Sequence, residues 1–429
     1  MNVESDRQRP YEGPAKGPTQ PDPRGADGQP VYLDHNGSTP MSAPVRAAIR
    51  AYFEESSGDP WGNAGAAHPA GLGARHAIDR ASDSAAQVLG VAPHEITWTS
   101  GGTESNNAAI LGLRLTTDRQ HIVCGRHEHL SVVRPVEWLE RQGVPVTWID
   151  PAPCGRVLPE TLAAAVRGDT ALVALMLANN ETGILQPVHE AREIARASGA
   201  HLFVDAVCGA GKLPFDANEL GCDLLSISGH KLHAPKGIGL LYVREGIAME
   251  PLIHGCGQQG NRRSGTENTM GAVALAAAME AHMERSGVDA TALRVRQLKD
   301  RLWNGLRALF AGAPAQARPV RNGSGADLPG TLSVWFPGRC ALALQTSLGE
   351  VGVSVTAQAG RHPDGRSRPS HVLLSMGASA ERAGESLRMS LGSTTTAEEI
   401  DAALVAFQRV IRPDTLDPAL PTAPIQLNS

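Results

Sequence analysis

The chain has 429 residues, 41% of them hydrophobic, with a formal net charge of −5 and a pI near 6.3. Its length predicts one large and one smaller domain, and its acidic balance excludes nucleic-acid binding by bulk electrostatics. No apolar run approaches the roughly 20 residues that span a bilayer and no apolar signal segment opens the chain; the single, scattered cysteines (Cys124, Cys154, Cys208, Cys222, Cys256, Cys340) suit a reduced, soluble cytoplasmic protein rather than a disulfide framework or zinc site.

Residues 1–29 are rich in Pro, Gly and charge and read as a disordered tail. Order is expected from Val31 onward. Helical spacing covers residues 43–55, with Pro44 near the start, and residues 69–89. From Glu95 strand-like runs at 96–99, 121–124, 144–149, 171–177, 201–205 and 224–227 alternate with helical runs such as 132–141 and 188–197. This alternation predicts an α/β fold with a mostly parallel sheet covered on both faces, its functional loops at the carboxyl ends of the strands. The large domain is expected over 30–265 and a long Ala-rich helix over 266–311. A small α+β domain should fill 312–411, with strands near 331–336, 351–355 and 386–390 and helices near 341–348 and 397–410. Residues 412–429 read as a loose tail.

Four segments carry the candidate chemistry. The run SISGHKLHAPKGIG at 226–239 reads as strand, tight turn, strand, with Lys231 on the turn. Such a lysine can act as an amine nucleophile toward a carbonyl, clamp a phosphate, or simply be solvated. The run TSGGTESNN at 99–107 joins a strand end to a helix start: an anion site, or a helix cap with Glu104 in the first turn. His127-Glu128-His129 follows a strand end; without an obvious third ligand it suits ring stacking or acid–base work better than a metal. Asp205 ends an apolar strand, so its carboxylate needs a cationic partner, either a protonated pyridine nitrogen or a structural Arg or Lys.

Taken together, and with YLDHNGSTP at 32–40, LANNETG at 177–183, RSGTEN at 263–268 and LRMSLGSTTT at 387–396, these motifs resemble the cysteine desulfurase and selenocysteine lyase family, class V aminotransferase-like pyridoxal-phosphate (PLP) enzymes. The likeness spans 31–411, and PSHVLLSMG at 369–377 is most similar to the selenocysteine-lyase branch. It implies PLP-dependent fold type I and a homodimer. Lys231 would bind the cofactor as a Schiff base, Asp205 would face the pyridinium nitrogen and His129 would stack on the ring. Gly102, Thr103, Ser228 and His230 would hold the phosphate, joined by Thr266 from the neighbouring subunit. Asn179 or Asn180, the first preferred, and Arg388 would take the substrate carboxylate.

The departures from the family are informative. Its loop cysteine, which carries the persulfide, falls on Arg361 here, and no cysteine occurs between Val351 and Arg368. Cys208 stands where the family usually has a glutamine against the cofactor's phenolic oxygen, Cys256 interrupts a glycine run, and Ser393 replaces the usual arginine of an LGR segment. These features predict a C–S or C–Se lyase, or desulfinase, releasing the β-substituent of a cysteine-like amino acid, with Arg361 pairing to an anionic side chain. The alternatives are a desulfurase using another cysteine, a PLP aminotransferase, decarboxylase or racemase of a specialised pathway, and a degenerate sulfur-transfer partner without turnover.

Overall fold

The computed structural model describes residues 30–54, 61–114, 116–361 and 367–411, the side chains of 359–361 and 367 excepted. The expected tails at 1–29 and 412–429 lie outside the described residues.

A seven-stranded sheet forms the centre of the large domain. After the short strand β1 (Val31–Tyr32), its strands are β2 (Ile96–Thr99), β3 (His121–Gly125), β4 (Val146–Ile149), β5 (Thr170–Met176), β6 (His201–Asp205), β7 (Leu224–Ser228) and β8 (Gly239–Val243). Their spatial order is β2-β8-β7-β6-β5-β3-β4; β8 runs antiparallel to both neighbours and the remaining pairings are parallel. Every residue of β5 is buried, as a continuous apolar run in a central parallel strand requires. Helices cover both faces. The helix Pro69–Leu89 opens with proline at its first position, buries Ala74, Ala77, Ile78, Ala81 and Ala85 along one stripe, and stops at left-handed Gly90. That stripe of small side chains lies against the helix Thr269–Met283, itself rich in alanine.

The expected single helix after residue 265 is two helices, Thr269–Met283 and Arg285–Leu309. Glu284 takes an extended conformation and its carboxylate accepts from the amides of Ser286 and Gly287, which starts the second helix afresh. The first helix buries its face in the large core and the second, through Leu298, Leu302 and Leu306, in the small one.

The small domain contains β9 (Val320–Arg321), β10 (Thr331–Trp335), β11 (Val353–Ser354), β12 (Thr356–Ala357), β13 (Ala359–Arg361), β14 (Ser367–Pro369) and β15 (Ser386–Ser390). Four of them form an antiparallel sheet ordered β12-β15-β10-β9. The N-terminal strand belongs here: β1 pairs in parallel with β11, and Val31 and Leu33 are fully buried in the small core. Burying such a side chain contributes about 1.5–3 kcal/mol, so residues before the first helix dock onto the far end of the chain. Among the described residues no helix is long and apolar enough to cross a membrane.

Candidate active site

The carboxyl ends of β5, β6 and β7 open onto a cavity of about 550 Å³. This is the side of a parallel sheet where loops can converge on a ligand. Most of the candidate residues meet there.

At one end of the cavity β2 stops at Thr99, the chain turns through Ser100 and Gly101, and the helix Gly102–Arg114 begins. The first turn of a helix leaves backbone amides without partners inside it, which suits a phosphate. Close approach explains the glycines. A side chain at Gly102 would come within 2.7 Å of Val207, and one at Gly239 within 2.6 Å of the Gly101 backbone. Gly102, Thr103, Ser228 and His230 all line this end. Burial, aided by Lys231 and Lys236, pushes the His230 imidazole down to about 4, so it is neutral near pH 7. Glu104 also reaches the wall: burial works against its charge, but hydrogen bonds from Arg263 and Ser100 outweigh it and hold the carboxyl below its usual range.

Asp205, at the end of β6, is 5% exposed. Its Oδ1 accepts from the Val207 amide at 2.9 Å and its Oδ2 from Asn106 Nδ2 at 2.8 Å. Asn106 also donates to Ser131 Oγ at 2.8 Å, and that hydroxyl lies 2.7 Å from His129 Nδ1. A polar chain therefore joins Asp205 to His129 through Asn106 and Ser131. His129 is the N-cap of the helix Leu130–Arg141, accepting from the Ser131 amide. Burial lowers its pKa, Asp205 opposes the shift, and Lys231 and His371 add to it. The two neighbours of His129 are structural: His127 and Glu128 are buried, and Glu128 Oε1 accepts from the Met176 amide at 2.7 Å.

Lys231 follows β7 on the short helical turn Gly229–Lys231. Its Nζ donates to the carbonyl of Asn36 and, at 2.9 Å, to that of Gly37. Burial is the main force lowering its pKa; Arg388 adds to it, while Cys208, Asp34 and Asp205 oppose it. A depressed amine is the form that can attack a carbonyl.

The two candidate asparagines, Asn179 and Asn180, sit differently. Asn179 is fully buried; its amide donates to the His127 carbonyl and accepts from the amides of Glu181 and Thr182. Those bonds hold the turn after β5 and leave nothing for a ligand. Asn180 lines the cavity instead, with Oδ1 buried and unpaired among the described residues. Arg388, on β15, donates to Asp34 Oδ1 at 2.7 Å and to the Asn180 carbonyl at 2.9 Å, and its Nε is buried without a partner.

Thr266 is exposed and away from this cavity within its own chain. Arg361 ends β13, in a hairpin with β14, and its side chain lies outside the described residues. Of the cysteines, Cys208 lines the cavity, whereas Cys256 and Cys340 are exposed and Cys340 stands at the start of the helix Ala341–Glu350.

Sequence reasoning passed over Asn36, Asn106 and Lys212. Asn106 had a visible signal, lying one helical turn after Gly102 on the same face. Lys212 Nζ donates to Asn36 Oδ1 at 2.8 Å, and Asn36 Nδ2 donates to Thr331 Oγ1 at 2.8 Å in the small domain. Nothing local to either residue announces these contacts.

The donor set fits PLP. A buried carboxylate already carries two hydrogen bonds, which keep an acceptor in place for a ring N–H, and a glycine cradle at a helix N-terminus suits the phosphate. A lysine with a lowered pKa suits the aldehyde. Fold and site define a PLP-dependent enzyme of fold type I.

The chain belongs to the class V aminotransferase family, whose profile, described as "Aminotransferase class-V", matches residues 31–403. It is 36% identical over 392 residues to the cysteine desulfurase IscS of Methanosarcina thermophila, covering 89% of this chain and 92% of that one. It is 37% identical over 389 residues to IscS of Anaeromyxobacter dehalogenans (strain 2CP-C), covering 89% and 93%. Among solved structures, a NifS-like protein superposes with a TM-score of 0.81 at 33% identity, covering 89% of this chain and 99% of its own. SspA in complex with cysteine superposes with a TM-score of 0.70 at 29% identity, covering 85% and 100%. The function is thus cysteine desulfurase-like, with a small amino acid as substrate.

Proposed function

We propose that the enzyme removes the β-substituent of a cysteine-like amino acid as a C–S or C–Se lyase or a desulfinase, without a loop thiol. The observation that carries this reading is the gathering of Lys231, Asp205, His129, Asn180 and Arg388 around one cavity, while residues 351–368 contain no cysteine. The solved relative with cysteine bound supports an amino acid of this class as ligand.

PLP bound here would supply an electron sink for bonds at the substrate α-carbon. Gly102, Thr103, Ser228 and His230 would hold its phosphate, with Thr266 reaching the phosphate site of the partner subunit in a homodimer. Lys231 would hold its aldehyde carbon. Asp205, fixed by Asn106 and Val207, would keep a proton on the ring nitrogen. His129, held in place by Ser131, would stack on the ring. Arg388 and Asn180 take the substrate α-carboxylate and point its side chain away from them. Lys231 Nζ, its pKa lowered chiefly by burial, would accept the α-proton. A β-substituent that leaves as an anion takes its bonding electrons and leaves pyruvate and ammonia after hydrolysis. A sulfinate instead leaves as sulfur dioxide, hydrated to sulfite, with the bonding pair kept on the β-carbon, which takes up a proton to give alanine. Neither route needs an attacking thiol. Arg361, on the hairpin, pairs with a substituent that is anionic.

The test is direct. The purified enzyme is scanned for absorbance near about 420 nm, where protonated Schiff bases of PLP absorb, and given cysteine, cysteine sulfinate and cystine while alanine, pyruvate, sulfide and sulfite are assayed. Pyruvate with ammonia, or alanine with sulfite from the sulfinate, supports the proposal. Alanine together with an enzyme-bound persulfide overturns it in favour of a desulfurase using another cysteine. Lys231→Ala is expected to lose the absorbance band.

A further inference from the structure

Behind Lys231 lies a second cavity, of about 140 Å³, between the large and small domains. Lys231 borders both spaces. The turn before the first helix presents Asn36 and Gly37 to the first cavity and His35 and Thr39 to the second.

The second cavity is polar in an unusual way. Its walls carry three imidazoles, His35, His233 and His282, with ring centroids 6.2 Å apart for the first pair and 4.7 Å for the second. His233 is satisfied: its Nδ1 lies 2.9 Å from the Pro40 carbonyl and its Nε2 3.2 Å from Ser393 Oγ. The others are not, since His35 Nδ1 and His282 Nε2 are buried with no partner among the described residues. His35 itself is 2% exposed. Lys212 brings an ammonium to the same wall, and its one hydrogen-bond partner among the described residues is the neutral amide of Asn36. The carboxylate that acts on it, Asp34, is already paired with Arg388.

We propose that this cavity binds a small inorganic anion, of halide to sulfite size, between the Lys212 ammonium and the unpaired imidazoles of His35 and His282. Buried polar atoms without partners each cost on the order of 1–3 kcal/mol, and a half-buried ammonium without a counter-charge adds to that cost. An anion relieves both. A cation would be repelled by Lys212, Lys231 and Arg388, which lie near one another. Ser393 keeps the space open, since a side chain of arginine length at that position would project into the room its short hydroxyl leaves.

Titration follows from the surroundings. Around Lys212 stand Cys208, Lys231, Arg388 and Asp34, with His35 and His233 also within electrostatic reach. Burial lowers the Lys212 amine to about 8 and the rings of His35 and His282 to about 4. Near pH 7 the lysine is therefore the charged partner and the imidazoles are neutral donors. Anion affinity falls as pH rises past about 8.

The experiment uses the PLP-loaded enzyme, whose phosphate cradle is filled, and bromide, which does not react with the cofactor aldehyde. Crystals soaked in sodium bromide are measured at the bromine edge, and bromide NMR line broadening is titrated at about pH 7 and about pH 9.5, either side of the Lys212 transition. An anomalous peak in the cavity is expected, with broadening that saturates and weakens at the higher pH. Ser393→Arg, which fills the space, should abolish both, and Lys212→Met should weaken binding about tenfold or more. A wild-type cavity holding only water, or a bromide response unchanged in Ser393→Arg, overturns the proposal. Should Lys212→Met fail to fold, the Ser393→Arg comparison still decides.

Discussion

Arg388 donates a hydrogen bond of 2.7 Å to Asp34, a residue 354 positions away in the chain. Beside it, Asp34 bridges to Ser390 in parallel, so the start of the ordered chain is sewn to the last strand of the small sheet at the rim of the active site. Asp34 aims the guanidinium while leaving its Nε unpaired. We expect Arg388→Lys to raise the KM for the amino-acid substrate by about 10- to 100-fold, with a smaller fall in kcat, because lysine forfeits the planar fork. Asp34→Asn should raise KM less. Steady-state kinetics check this, and an unchanged KM in Arg388→Lys would remove the arginine from the carboxylate site.

Asp205 and Asn106 make a second pair worth separating. In Asp205→Asn the ring nitrogen loses its anionic partner, and turnover is expected to drop by about 10²-fold or more while the bound cofactor content stays close to wild type. In Asn106→Ala the carboxylate keeps its bond to the Val207 amide, so the loss should be milder. Cofactor content by absorbance, measured with kcat on the same samples, separates lost binding from lost chemistry.

Much of this arrangement was legible beforehand, for physical reasons that differ by residue. Asp205 stood out because a carboxylate ending an apolar strand has to meet a partner, and the mostly parallel sheet because strand-like and helical runs alternate. Lys231 was marked by the turn residues around it. What escaped notice was set by contacts distant in sequence. The pairing of β1 with β11 reassigns the first ordered residues to the small domain, and the Asn36–Thr331 hydrogen bond spans 295 positions. The choice between Asn179 and Asn180 turns on which of two adjacent amides the turn consumes, a matter of backbone geometry that their shared residue type hides. The helix break at Glu284 depended on a cap supplied by a side chain that elsewhere sits inside helices.

Glu128 gives a third prediction. Burial, with Asp205 nearby, raises its carboxyl well above the usual range despite the hydrogen bond from the Met176 amide. Burial thus favours the protonated form in the folded chain, and Glu128→Gln should keep both fold and activity. A raised carboxyl contributes stability that is full below its unfolded pKa and lost as pH rises through the folded value. The glutamine variant should therefore lose less stability than wild type as pH rises above the unfolded carboxyl value, measured as Tm against pH. Glu128→Ala, which leaves the Met176 amide unpaired, should destabilise by about 1–3 kcal/mol.

Acidification acts in the opposite sense through the buried imidazoles. Burial holds His35, His127, His230 and His282 at about 4, whereas the unfolded chain takes up protons near 6.5. Between these values the unfolded state binds more protons, so stability is full above about 6.5 and declines as pH falls toward about 4. Differential scanning calorimetry from neutral to mildly acid pH should show Tm falling across this window. His127→Gln should flatten the decline, because its ring is buried and has no exposed route to protonation.

Cys208 decides between the two sulfur chemistries. It is the cysteine that lines the active-site cavity among the described residues, and Lys231 lies close enough to be perturbed by it. If the enzyme released sulfur as a protein persulfide without a loop thiol, this sulfur would be the natural acceptor, because it borders the active-site cavity beside Lys231. Cys208→Ser would then lose turnover of cysteine entirely and leave no labelled persulfide on the protein. On the reading adopted above, the β-substituent leaves without attack, and the variant keeps turnover within about tenfold of wild type. The small loss reflects a changed neighbour of Lys231, so it should appear as a displaced pH profile rather than as lost product. Mass spectrometry of the protein after incubation with cysteine, run beside the kinetics of wild type, Cys208→Ser and Cys340→Ser, separates the two. A persulfide on Cys208 with matching loss of activity in its variant assigns it the acceptor role; unmodified protein that still forms product places the chemistry on Lys231 and the substrate's own leaving group.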